Sequence, residues 1–131
     1  MAKEKKERVP KTRGANTYTE SAFWGMIRST LRRRSMFWKP VHLAKLAARR
    51  DNQSDNPRLK FEYQCAVCTN WFPEKQTIID HIIPAGTLTC ADDLPSFVER
   101  LFCEQEGLRC LCKECHQKIT NLQRGNRKKH D

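Results

Sequence analysis

No run of apolar residues in this chain comes near the roughly 20 that a membrane helix needs, and no apolar signal segment opens it. The expectation is a protein without a membrane partner. A complete disulfide framework is excluded as well, because the seven cysteines are an odd number. Their thiols belong to a reducing cytosol. Acidic residues are scarce in one half only. Residues 1–60 hold 5 Asp and Glu against 16 Lys and Arg, a net charge of +11, whereas residues 61–131 hold 10 against 9, a net charge of −1. A basic half beside a neutral half suits an attraction to nucleic-acid phosphates delivered by an extension, through counterion release. The plainer reading is a solvated surface; the metal-ligand pattern favours the first.

At 131 residues the chain is one small domain with an appendage, and a domain of this size buries about two-thirds of its unfolded surface. A structural metal would help it materially. The ligands for one are present: Cys65-x2-Cys68, then Asp80-His81, then Cys112-x2-Cys115 with His116 directly after. Four thiolates in two such knuckles make a tetrahedral zinc cage. The Asp and the two His left over make a second, harder metal site. That combination points to a nuclease. Cys110 is the rival ligand, through a C-x-C chelate with Cys112, but the repeated C-x2-C geometry favours Cys65, Cys68, Cys112 and Cys115. Asp80 and His81 lie among Ile78, Ile79, Ile82 and Ile83. Two titratable groups there are costly unless they are used.

Residues 1–17 read as a disordered basic tail, 18–57 as a basic helical extension and 58–131 as the metal-binding domain. Thr17 and Glu20 have the form of a capping box for a helix over Tyr18–Arg34, with Phe23, Met26, Ile27, Thr30 and Leu31 on one stripe. Arg28, Arg32, Arg33 and Arg34 crowd its second half, where they complement the helix dipole and can reach a DNA backbone. Pro40 opens a second helix to Arg50, and Asp51–Pro57 is a linker. His42 reads as a surface side chain, and Trp24, Phe37 and Trp38 as packing anchors.

Leu59, Phe61 and Tyr63 alternate into a strand ending at Cys65, followed by a compact turn at Trp71-Phe72-Pro73. Thr77–Ile83 is a second strand, closed by Pro84. Asp93 caps an inserted helix over residues 93–106, with Gly107 as its terminator. Leu108–Leu111 is the returning strand, and a helix over Cys115–Leu122 places His116 and Thr120 one turn apart on one face.

The segments CAVC, IIDHIIP and GLRCLCKECHQKITN, between Phe61 and Gln123, resemble the HNH (His-Asn-His) endonucleases, particularly small bacteriophage proteins with a four-cysteine zinc site. The resemblance implies an α+β fold: a zinc-stabilised ββα-metal (His-Me finger) core, here carrying the basic N-terminal helical extension. It implies that Asp80 is the first ligand of a catalytic divalent ion, His81 the general base and His116 the metal-binding histidine. Thr120 stands where some members have another metal-binding histidine, and would be a weaker ligand. Gly107 aligns with the family's central asparagine and has no side chain to brace the catalytic loop.

The expected cofactors are structural Zn²⁺ and catalytic Mg²⁺ or Mn²⁺. The expected partner is double-stranded DNA, gripped by Arg28, Arg32, Arg33, Arg34 and Lys118, in the cytoplasm of a bacterial host cell. The function expected is thus a metal-dependent DNA endonuclease, a nickase, and the resemblance implies that it leaves 5′-phosphate and 3′-hydroxyl ends. Two alternatives keep the same residues: a zinc-stabilised DNA-binding module with a decayed nuclease centre, and an adaptor in the phage DNA-packaging machinery.

Overall fold

The computed structural model of the chain describes residues 7–129. The first six residues of the expected basic tail lie outside them. Among the described residues of the tail, backbone hydrogen bonding starts at residue 12. The N–H groups of Thr12 and Arg13 donate to the Tyr18 carbonyl, and those of Thr17 and Tyr18 donate back to Arg13. The turn is pinned by Arg13, whose guanidinium makes two 2.9 Å bonds to Glu20 and lies 4.5 Å from the centre of the Phe23 ring.

Helix α1 runs over Glu20–Ser35. Its cap is Thr19, not Thr17: the Thr19 hydroxyl accepts the Ala22 N–H at 3.1 Å, while the Thr17 hydroxyl closes the preceding turn onto the Gly14 carbonyl. Glu20 accordingly makes no capping box, and its carboxylate accepts from Arg13 and from the Trp24 indole N–H. Helix α2 covers Lys39–Ala47, shorter than expected, because Arg49–Asp51 becomes strand β1. Strands β2 (Phe61–Gln64) and β3 (Trp71–Phe72) complete an antiparallel sheet in the order β1-β2-β3. The expected turn at Trp71-Phe72 is therefore a short strand, in register with Tyr63 and Gln64.

Strands β4 (Thr77–His81) and β5 (Leu108–Cys112) form a second antiparallel pair, with Asp80 opposite Arg109 and His81 opposite Leu108. β4 stops two residues earlier than the isoleucine run suggests, and Ile82 and Ile83 are exposed. Between these strands lies α3 (Leu94–Leu101), and after them α4 (Lys113–Lys129). The inserted helix ends at Leu101, well short of residue 106. Asp93 does not cap it with its side chain, which accepts instead from the Thr89 N–H and hydroxyl.

The class is mixed α+β with two small sheets. One core joins the helical extension to the rest: Trp24 of α1 packs with Leu88 and with the fully buried Phe97 and Leu101 of α3. Each such side chain contributes roughly 1.5–3 kcal/mol on burial. Trp38 is anchored as expected, its indole N–H bonding the Cys103 carbonyl at 2.8 Å and its ring edge-on to Phe102. Phe37 is not an anchor; it is 78% exposed in the turn between α1 and α2.

Candidate functional site

The four knuckle cysteines converge. Cys65 follows β2 and Cys68 lies in the turn beyond it, where Thr69 takes a left-handed backbone (φ 63°) and donates its N–H to the Cys65 carbonyl. Cys112 ends β5 and Cys115 lies in the first turn of α4, its N–H pointing at the Cys112 sulfur at 3.4 Å. All four sulfurs lie within 4.8 Å of one another, and Cys68 and Cys112 are 3.9 Å apart. Sulfurs about 2.3 Å from a central zinc stand about 3.8 Å apart in a tetrahedron. The set therefore fits a metal such as zinc. Leu111, Phe72 and Ile119 pack around it. Cys110 lies on the same face of β5 as Cys112 but is not among the sulfurs that converge.

The thiols titrate as a group. Burial pushes the Cys65 thiol up, but backbone N–H donors from Cys112, Cys68 and Val67 outweigh it and bring it down to about 6. Cys115 is pushed up to about 12, first by its hydrogen bond with Cys112 and then by burial. Cys68 is pulled down by the Asn70 N–H, yet burial and its bonds with Cys65 and Cys112 leave it raised. Cys65 forms a thiolate readily, whereas Cys68 and Cys115 hold their protons until a cation displaces them.

A second site lies on the other side of β4 and β5's attachment to α4. It is a cleft of about 330 Å³. Asp80 and His81 enter from the end of β4. His116, Thr120, Gln123 and Arg124 enter from α4, at offsets of four, seven and eight residues that share one helical face. Arg28 and Arg32, one turn apart on α1, form the opposite wall. Partial burial and the charge of Arg28 lower the pKa of Arg32 while Asp80 raises it, so these charges sense one another. Gly86 forms the lip with φ +82°, and a Cβ there would stand 3.2 Å from the Arg100 guanidinium, so a side chain is disfavoured twice over.

His81 is oriented by the backbone. Its Nε2 lies 2.8 Å from the Leu101 carbonyl at the end of α3. A carbonyl only accepts, so Nε2 carries the proton and Nδ1 is left with a lone pair in the neutral ring. Asp80 Oδ1 is 3.8 Å from His116 Nε2, and its Oδ2 is 3.7 Å from the Arg109 guanidinium. Both separations are too long for hydrogen bonds. Arg109 Nε is buried without a hydrogen-bond partner among the described residues.

The structure thus brings together Asp80, His81, His116, Thr120, Arg28 and Arg32. Arg33 and Arg34 are exposed elsewhere on α1, and Lys118 reaches Glu114 at 3.5 Å on the outside of α4; none of the three lines the cleft. Arg124 and Gln123 were missed, although stepping two helical turns on from His116 finds the arginine. Gly107 admits no bracing side chain, since a Cβ there would meet the Cys103 sulfur at 2.9 Å. Its carbonyl accepts the Ile82 N–H instead, and the loop is braced through backbone. Among the described residues the cysteine cluster is the one group of three or more His, Cys, Asp or Glu side chains whose ligand atoms lie close enough together to hold a metal ion. No protein-family model, no curated protein and no solved structure matches this chain.

Proposed function

We propose that the chain is a metal-dependent DNA endonuclease of the HNH kind, with β4, β5 and α4 as its ββα-metal core and the cysteine cluster as its structural zinc site. The observation that carries this reading is the meeting of Asp80, His81 and His116 with Arg28, Arg32 and Arg124 in one cleft. A cationic wall facing a base and a carboxylate is what hydrolysis of a phosphodiester requires.

The arginines grip the non-bridging oxygens of a phosphate in the cleft and hold it against the β4 end. His81, its Nε2 tied to Leu101, presents Nδ1 to a water and takes the proton as that water attacks phosphorus. Asp80 and His116 are the residues that would hold a divalent ion. Their facing atoms, Asp80 Oδ1 and His116 Nε2, are 3.8 Å apart, close enough for both to be drawn onto one ion. A bound Mg²⁺ or Mn²⁺ supplies Lewis acidity at the phosphate and charge at the departing 3′ oxygen. The products carry 5′-phosphate and 3′-hydroxyl ends, and a single centre cuts one strand at a time, as a nickase does. Bacteriophage origin and work beside the phage packaging machinery belong to the resemblance alone.

The second reading, a zinc-stabilised DNA-binding module whose centre has decayed, is favoured by one observation: the Arg109 guanidinium stands beside Asp80 and competes there with a metal ion. Nicking of supercoiled plasmid with added Mg²⁺ or Mn²⁺ tests the proposal. Salt-sensitive binding without nicking would select the module.

A further inference from the structure

A larger cavity, about 400 Å³, lies on the far side of His81, between the α1–α2 turn and β4. Met36, Val41 and Ile79 give it apolar walls, His42 and Lys45 give it donors, and no carboxylate lines it. Lys45 is also paired with Glu74, so part of its charge is already answered. His81 lines this cavity and the arginine cleft alike.

The wall made by β4 is unusual in its backbone. The Cys110 carbonyl is turned away from β4, since it accepts from Ala66. In an antiparallel pair the residue opposite then turns its own N–H and C=O outward as well, and that residue is Ile79. The Ile82 N–H, bonded to the Gly107 carbonyl, fixes the same phase, so His81 also presents its backbone to the outer edge. No strand lies beyond β4 among the described residues. Thr77, the next in the alternation, has its N–H satisfied by Glu74. The open edge is therefore two residues long, with an adjacent donor and acceptor on Ile79, a residue that lines the cavity.

From this we infer that the cavity holds one unstacked nucleobase, next to the phosphate that lies in the arginine cleft. A base has a planar apolar face for Met36 and Val41, and an edge of alternating donors and acceptors for Ile79. An extended peptide needs more rungs than two residues offer. The volume is within the range of small-ligand sites. The inference deepens the endonuclease reading and rests on it for the placing of the phosphate. Its consequence is substrate choice: DNA with an unpaired or easily unpaired nucleotide at the cut is preferred to a perfect duplex, because the cost of extruding a base is then small.

The experiment measures binding of the full zinc-loaded chain, without Mg²⁺ or Mn²⁺, to two short duplexes that differ only in whether one 2-aminopurine is paired or unpaired. The unpaired probe should bind about tenfold tighter, as expected for one captured base, and its fluorescence should change on binding. Val41→Trp and His42→Trp, each filling the cavity, should remove the advantage while leaving affinity for the paired duplex, melting temperature and zinc content at parental values. Equal binding of the two probes by the parent overturns the inference. So does an advantage that survives in both variants, which would place the unpaired base outside this cavity. An intact advantage in a protein that cuts no DNA would uphold the base site and overturn the endonuclease reading.

Discussion

His81 and Leu101 are joined by a 2.8 Å hydrogen bond from the imidazole Nε2 to a main-chain carbonyl. The residues are 20 apart in sequence, and the bond links the end of β4 to the end of α3. It sets the tautomer of the ring and leaves Nδ1 as the proton-accepting nitrogen. Phe97 and Leu101, both fully buried, hold α3 in place and so set the position of that carbonyl.

Removing a zinc ligand should unfold the cysteine module. Cys112→Ser leaves three thiolates, and the loss is on the order of the whole stability of a small domain, several kcal/mol. The expected result is loss of one zinc per chain and a collapsed melting transition. An unchanged melting temperature with full zinc content would refute the ligand assignment.

Affinity for zinc should also depend on pH. Cys68 and Cys115 hold their protons above the ordinary thiol range, so binding releases protons and tightens as pH rises. Competition with a chelator, repeated across a pH series, checks the sign: apparent affinity falls on acidification.

Glu20 supplies a second pH dependence. Bonds from Arg13 and then from the Trp24 indole hold its carboxyl down to about 2, against an ordinary 4.5. A depressed carboxyl stabilises the fold above the unfolded value, and that contribution drains away as pH falls from about 4.5 through about 2. Glu20→Gln should therefore melt below the parent at pH 7, and the two should converge toward pH 2. A gap that persists at pH 2 would mean the clasp acts by something other than charge.

The arginine wall makes a separable claim. Arg32→Ala and Arg124→Ala should each flatten the slope of log affinity for duplex DNA against log salt by about 0.9, the value for one phosphate contact. Lys118→Ala should leave the slope alone, since Lys118 faces Glu114 outside the cleft. A Lys118 effect equal to that of Arg124 would place the DNA along the outer face of α4.

Much of this arrangement was legible in the chain because the knuckle spacing is a local property. Cys65 with Cys68, and Cys112 with Cys115, are each brought together within a segment of four residues. β4 and β5 were legible through their β-branched and apolar content. The errors lie where tertiary partners decide. Arg49–Asp51 reads as the tail of a helix until Phe61–Tyr63 offers it a strand to pair with. Glu20 reads as a capping residue until Arg13 folds back onto it. Phe37 reads as an anchor, but Trp24 and Trp38 already fill the two places against α3 and its flank. The Leu101 carbonyl had no signal at all, since a backbone acceptor is invisible in residue identity. Arg124 had one, its helical phase with His116.

The central claim is that His81 moves a proton at a centre where Asp80 and His116 hold the metal. Supercoiled-plasmid nicking by the parent, His81→Ala, Asp80→Ala and His116→Ala across a Mn²⁺ series tests it most directly. The account predicts that His81→Ala loses at least ~10²-fold in rate at every metal concentration, with zinc content and DNA affinity intact. Asp80→Ala and His116→Ala should regain part of their activity as Mn²⁺ rises. Nicking by His81→Ala at the parental rate would contradict it.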